Sequence, residues 1–225
     1  MNSSAAIQVG FMILGAYMLG SIPWGFIIGR IYGVDVRKVG SKNIGATNVT
    51  RTVGKIPGKI CFVLDFVKGC LPVMAARYVT ESDNWAGNTE WVVIAVMLAT
   101  ILGHIFPVFL QFKGGKGVST AAGAIMALAP YPLLVAFSVW VVVFFVSRYV
   151  SLASITAAAV LPVVAWAFKM ANIGGKVAQA NWTLLFLLVV AVLAIARHHS
   201  NIRRLLNGTE SRFGKDKKSE NTAKE

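Results

Sequence analysis

The sequence predicts an all-α integral membrane protein with about seven transmembrane helices, its N-terminus outside and its C-terminus cytoplasmic. Three observations predict it. Of 225 residues, 56% are hydrophobic and mean hydropathy is +0.66, against roughly 45–50% apolar usage in soluble domains. The apolar residues fall in long runs, and a bilayer core takes about 20 of them per helix. Lys and Arg collect on alternate connections, as they do in cytoplasmic loops.

The elements follow in order. The first span is about 7–29, and its glycines, Ser21 and Pro23 suit close helix packing. Residues 1–8 carry no Lys or Arg, so this run reads as a retained span and not a signal peptide. The loop 30–59 holds Arg30, Arg37, Lys38, Lys42, Arg51, Lys55 and Lys59, opposed only by Asp35. The second span, about 60–79, contains Asp65 and Lys68. The connection 80–90 has Glu81, Asp83 and Glu90 and no base. The third span is about 91–110, with His104 inside it. The fourth, 118–129, is short for a full crossing and ends at a turn signal, Pro130-Tyr131-Pro132. Spans five and six are about 133–146 and 152–168, and the last is about 182–196. With the first loop inside, the outer connections hold only Lys169 and Lys176. Residues 1–212 therefore read as one seven-helix membrane domain, and 213–225 as a polar, disordered cytoplasmic tail.

The net charge of +13 follows from that topology and needs no nucleic acid. It also suits anionic substrates and anionic lipid head groups. Cys61 and Cys70 lie nine residues apart in one helical run, beyond a disulfide's reach. No large soluble domain is available, so any chemistry must use loops and helix ends.

Four segments on the expected cytoplasmic side carry chemistry. In the first, Gly40 and Gly45 permit close backbone approach to an anion. Ser41, Lys42, Asn43, Thr47 and Asn48 add hydrogen-bonding groups, and Arg51 offers a fork suited to phosphate oxygens. The second, Lys113-Gly114-Gly115-Lys116-Gly117, opens a helix, where free N–H groups and a positive dipole end favour phosphate. It lacks the Walker A spacing, since Leu110 stands where a glycine is required. The third surrounds Arg148 with Ser147, Ser151 and Ser154, and the fourth contains His198, His199, Asn201 and Glu210 among arginines. Each alone also suits a structural loop. Asp65 and Lys68, three residues apart, suit a buried mutual pair with a structural role.

Known alternatives are missing. Five residues after His104, His198 and His199 stand Phe109, Arg203 and Arg204, so the His/Asp acyltransferase signature is absent. There is no Gly-x-Ser-x-Gly elbow and no aspartate-rich metal pattern. No metal or cofactor is expected.

Taken together, Gly40-Ser41-Lys42-Asn43-Ile44-Gly45-Ala46-Thr47-Asn48-Val49 with Arg51, Lys113-Gly114-Gly115-Lys116-Gly117-Val118, Arg148-Tyr149-Val150-Ser151, and His198 with Asn201 resemble the bacterial acyl-phosphate glycerol-3-phosphate acyltransferase family, the PlsY type. The resemblance spans about residues 7–212. It implies acyl transfer from acyl phosphate to the 1-hydroxyl of glycerol 3-phosphate, giving lysophosphatidic acid and phosphate, the first acylation of phospholipid synthesis. It implies catalytic roles for Ser41, Arg51, His198 and Asn201. Substrate binding falls to Lys42, Asn43, Thr47, Asn48, Lys113, the loop Gly114-Gly115-Lys116-Gly117, and Ser151 or Ser154. Glu210 takes a structural role. It also implies the bacterial inner membrane, a cytoplasmic active site, and functional coupling to the enzyme that makes acyl phosphate. A small-anion or phosphate-ester transporter is the main alternative. It would place polar groups near the midplane, whereas these cluster at one interface.

Overall fold

The computed structural model describes residues 3–82, 85, 87–174 and 176–214. Asp83 and the tail 215–225 lie outside the described residues. Among the described residues, eleven α-helices follow one another: α1 (Ser3–Ser21), α2 (Trp24–Ile31), α3 (Ala46–Thr52), α4 (Lys55–Thr80), α5 (Thr89–Ile105), α6 (Val118–Leu128), α7 (Pro130–Ser147), α8 (Val150–Met170), α9 (Lys176–Gln179), α10 (Asn181–Arg197) and α11 (His199–Leu206). Val108–Leu110 form a 3₁₀ turn, and no strand occurs among the described residues.

The apolar runs become helices, with differences at the breaks. The first span is two helices, because Pro23 at the break has no N–H to continue the ladder. The loop 30–59 is not all loop: it contains α3, and α4 begins at Lys55. Four segments are long and apolar enough to cross a membrane, Ser3–Ile31, Thr89–Leu110, Pro130–Ser147 and Val150–Met170. A fifth is counted only if α10 and α11, bent by 56° at their junction, are taken together as one span. The expected count of seven is therefore not met on length and composition. α4 is long but carries Asp65 and Lys68, and α6 has 11 residues, about 17 Å at 1.5 Å per residue.

Two helix crossings position everything else. At the α4–α6 crossing, Gly69 lies against the Thr120 carbonyl and Gly123 against the Phe66 carbonyl. At the α1–α5 crossing, Gly20 meets Thr100 and Gly103 meets Tyr17. A Cβ at any of the four would strike backbone, so each crossing depends on a reciprocal glycine pair. α7 and α8 form a hairpin, and α10 packs on α8 and α5. The main core centres on Met97, Ile101 and Leu187. A smaller one, Ile28, Val36, Ile44, Val49, Cys61 and Leu110, seats the first polar loop on α4 beside the entry to the glycine loop. Large apolar side chains such as Phe11, Leu71, Phe145 and Val146 face outward, which suits lipid.

Candidate active site

The first loop is built around one amide. Asn48, 1% exposed, donates from Nδ2 to the carbonyls of Val36 (2.8 Å), Asn43 (2.9 Å) and Val39 (3.2 Å). Its Oδ1 accepts the Ser41 N–H at 2.8 Å. Asn48 thus spends its polar capacity on the loop backbone. Asn43 does so in part, its Oδ1 accepting the Gly45 N–H at 2.8 Å. Gly40 (φ 60°) and Lys42 (φ 57°) take left-handed conformations at this turn, and a Cβ at Gly40 would press on Asn48 and Thr52. The result holds Ser41 and Lys42 outward with exposed side chains. Among the described residues, no hydrogen bond within the chain engages Ser41 Oγ. Thr47 is half-buried on α3.

The glycine loop differs from the sequence expectation. The N–H groups of Gly114 and Gly115 are not free: they donate to Ile105 O (3.2 Å) and His104 O (3.1 Å). These glycines serve close packing of the loop on the end of α5. The open donors are one turn later. Gly117 (φ 78°) caps α6 without a side-chain hydrogen bond, so the N–H groups of Val118, Ser119 and Thr120 end the helix unpaired among the described residues. Lys113 is exposed beside the loop.

Lys116 points into a polar network formed by the C-terminal segment. Its Nζ donates to Asn201 Oδ1. Asn201 Nδ2 donates to Glu210 Oε1 at 2.6 Å, and Ser151 Oγ donates to the same oxygen at 2.7 Å. Arg204 Nε donates to Glu210 Oε2 at 2.7 Å. Burial works to raise the Glu210 carboxyl, but the hydrogen bonds from Ser151, Asn201 and Arg204 outweigh it and hold the group below the usual carboxylate range. Burial pushes the Lys116 ammonium down to about 8; Glu210 opposes this, while Arg204, Arg51 and Arg197 add to it.

Arg51 closes the network from the first loop, donating from Nη2 to Ser211 O at 3.2 Å. Phe213 N–H donates to Arg148 O at 2.8 Å, strapping the C-terminal segment over the start of α8. Ser151 and Ser154 of the third segment are now distinguished. Ser151 joins the Glu210 network. Ser154 donates to Val150 O at 2.8 Å and accepts from Trp140 Nε1 at 3.1 Å.

His198 sits at the break between α10 and α11 and is 3% exposed. Its Nδ1 is 2.7 Å from Ala194 O. A carbonyl only accepts, so Nδ1 carries the proton and the neutral ring keeps its lone pair on Nε2. Burial, then the Lys116 charge, pushes this imidazole down to about 4. His199 is exposed. Sequence reasoning passed over two participants, Arg197 and Arg204. Arg197 Nη2 donates to Gly115 O at 3.2 Å. Their signal was available: several arginines share the stretch 197–212 with Glu210 as its one acid. Among the described residues, no group of three His, Cys, Asp or Glu is placed to hold a metal.

A helical bundle with apolar outer faces and a cationic, amide-lined site at one end suits a membrane protein with an anionic ligand. The family model described as glycerol-3-phosphate acyltransferase matches residues 10–208, and the chain belongs to that family. The chain is 47% identical over 212 residues to a glycerol-3-phosphate acyltransferase of Desulforamulus reducens, covering 94% of this chain and 98% of the relative. It is 45% identical over 203 residues to the one of Aquifex aeolicus, covering 90% and 98%. Among solved structures it is similar to PlsY (YgiH), an integral membrane glycerol 3-phosphate acyltransferase. In its glycerol 3-phosphate form the TM-score is 0.81 at 43% identity, covering 92% of this chain and 96% of that one. For the lysophosphatidic acid form the TM-score is 0.77.

Proposed function

We propose that this chain transfers an acyl group from acyl phosphate to the 1-hydroxyl of glycerol 3-phosphate, yielding lysophosphatidic acid and inorganic phosphate. It is a multi-pass membrane acyltransferase that acylates glycerol 3-phosphate to lysophosphatidic acid, as its family membership establishes. The acyl-phosphate donor, the residue roles and the topology are our reading. The observation that carries it is the convergence of Lys116, Arg51, Asn201, Ser151 and Arg204 from four separate segments around Glu210 and the open end of α6.

The chemistry follows from charge. Both substrates bring phosphate, and Lys116, Arg51 and the α6 N–H groups neutralise it. The hydroxyl oxygen attacks the acyl carbon, and the carbon–oxygen bond to phosphate breaks. Phosphate leaves with the electron pair and ends with the hydroxyl proton. An acyl phosphate is activated already, so positioning and charge neutralisation supply most of the rate. A phosphate oxygen, titrating at about 6, is a stronger acceptor than the neutral His198 ring and takes the proton of the attacking hydroxyl. His198 Nε2, an acceptor, instead orients glycerol 3-phosphate by accepting from its other hydroxyl. Ser41 and Lys42 are outward donors for a second phosphate, with Lys113 and Thr47 at the rim. Asn43, Asn48 and Glu210 hold the loops that present these groups.

Seven crossings are consistent with the packing: α1 with α2, then α4, α5, α6, α7, α8 and α10. The short α6 reaches far enough, because Arg77 near the far end of α4 donates to Ala127 O at 2.8 Å while Ser119 Oγ donates to Phe62 O at 2.8 Å near the other end. An odd count puts the two termini on opposite sides. The basic site end, which carries the C-terminal segment, is assigned to the cytoplasm of a bacterial inner membrane by its Lys and Arg excess, and the N-terminus is then outside. We take 1–212 as one membrane unit, coupled in function to the enzyme that supplies acyl phosphate.

The test is donor choice. Purified protein in detergent, given glycerol 3-phosphate, makes lysophosphatidic acid from acyl phosphate and none from acyl-CoA. Product from acyl-CoA alone would refute the donor assignment.

A further inference from the structure

A buried charged cluster in the membrane-spanning part takes no share in the chemistry above. Asp65 and Lys68 of α4, His104 of α5 and Thr120 of α6 are each at most 5% exposed. Lys68 Nζ lies 2.8 Å from Asp65 Oδ1 and donates to Ile22 O at 2.7 Å, at the break between α1 and α2. His104 Nδ1 is 3.6 Å from Asp65 Oδ1 and 3.1 Å from Thr120 Oγ1. Cys61 Sγ lies 3.7 Å from Asp65 Oδ2. Ionisable groups at such depth are costly, and a retained cluster calls for a use.

The use is visible where the cluster meets the glycine loop. The His104 carbonyl accepts the Gly115 N–H at 3.1 Å. The nearest atoms that a Cβ on Gly115 would meet all belong to the His104 ring: Nε2 in collision, Cδ2 at 3.1 Å and Cε1 at 3.2 Å. The imidazole therefore fills the space that any side chain at 115 would need. On its other side the Gly115 carbonyl accepts from Arg197 at 3.2 Å. The peptide just before Lys116 is thus held between a ring fixed from below and a guanidinium.

We propose that His104, fixed by Asp65 and Thr120, is a positioning residue that sets the glycine loop and so places Lys116 and the first turn of α6 for glycerol 3-phosphate. The proposal rests on the phosphate-binding role assigned to that loop. His104 acts through Gly115 and does not itself touch the substrate. Thr120 of α6 holds the ring's Nδ1 by a hydrogen bond, and the Asp65 carboxylate of α4 stands 3.6 Å from the same nitrogen. Lys68 balances the Asp65 charge and carries the anchorage to the α1–α2 break.

The test is a compensating pair, read by steady-state kinetics with saturating acyl phosphate and varied glycerol 3-phosphate. Gly115→Ala forces the methyl against the ring, and KM rises about tenfold while kcat stays within about threefold. His104→Ala frees the loop and also raises KM. In the double variant the methyl has room, so Gly115→Ala adds less than about twofold to the His104→Ala value. Thr120→Val, which keeps its shape and loses only the hydroxyl, raises KM for glycerol 3-phosphate by a larger factor than it lowers kcat. This variant carries the test should His104→Ala fail to fold. Multiplied KM effects in the double variant, or a Thr120→Val with unchanged KM, would overturn the positioning role. Wild-type protein that makes no lysophosphatidic acid would instead overturn the functional reading.

Discussion

Lys116 is where electrostatics and function meet. Burial lowers its ammonium to about 8. A lysine is charged below its pKa, so the charge is full at pH 7 and is lost as pH rises through about 8. The free-enzyme profile, kcat/KM against pH, falls above that point. Lys116→Arg removes this basic limb, because a guanidinium stays charged, even if the rate is lower throughout. A limb that stays near 8 in Lys116→Arg would assign it to another group. His198 moves the opposite way: pushed down to about 4, it is neutral across the working range and adds no acid limb near 6.5. His198→Ala lowers kcat about tenfold with no shift of the profile. A shift of the acid side by His198→Ala would restore it as the base. At this scale the sequence was a partial guide. It brought Lys116, Asn201, Ser151 and Glu210 under suspicion but could not show that Asn48 and Asn43 face inward. Residue type marks a hydrogen-bonding group; only the folded loop decides whether backbone or substrate receives it.

Helices were legible in proportion to their apolar length. α7, α8 and α10 begin and end within a few residues of the apolar runs. α3, seven residues long and polar, was not legible as a helix; of α11, eight residues long, only the helical spacing of His198 and Asn201 showed. The start of α4 was hidden because Lys55 and Lys59 read as loop. The glycine pairs were also hidden, since a glycine's partner is fixed by a crossing and not by spacing. Those crossings set the distance between the glycine loop and α4, so their loss is felt at the site. Gly123→Leu, driven against Phe66 backbone, costs about 1–3 kcal/mol or more. It lowers the thermal midpoint in detergent. Gly15→Leu, where a Cβ meets nothing within 4 Å, leaves the midpoint in place. Equal midpoints for the two variants would remove the α4–α6 crossing from the account.

Across the whole molecule, polarity is asymmetric. The first loop, the glycine loop, the start of α8 and the C-terminal segment meet at one end, joined by Arg51 to Ser211, Lys116 to Asn201 and Ser151 to Glu210. The basic loops of the sequence had suggested one face, but their charge alone follows from topology. The meeting of four segments did not, because it depends on contacts 59 to 160 residues apart. Single cysteines at exposed Lys42 and Lys113 should react with an impermeant thiol reagent only from the cytoplasmic side in oriented vesicles, and one at Ser82 only from outside. The same side for all three would rule out the proposed arrangement. We assign the acylation of glycerol 3-phosphate to this meeting point. Its most direct test is the initial rate of lysophosphatidic acid formation from acyl phosphate, at varied glycerol 3-phosphate, for wild type and Lys116→Ala in the same detergent. Lys116→Ala should lower kcat/KM by about a hundredfold or more, as expected when a charge facing the reacting phosphates is lost. An unchanged kcat/KM in a folded Lys116→Ala would contradict it.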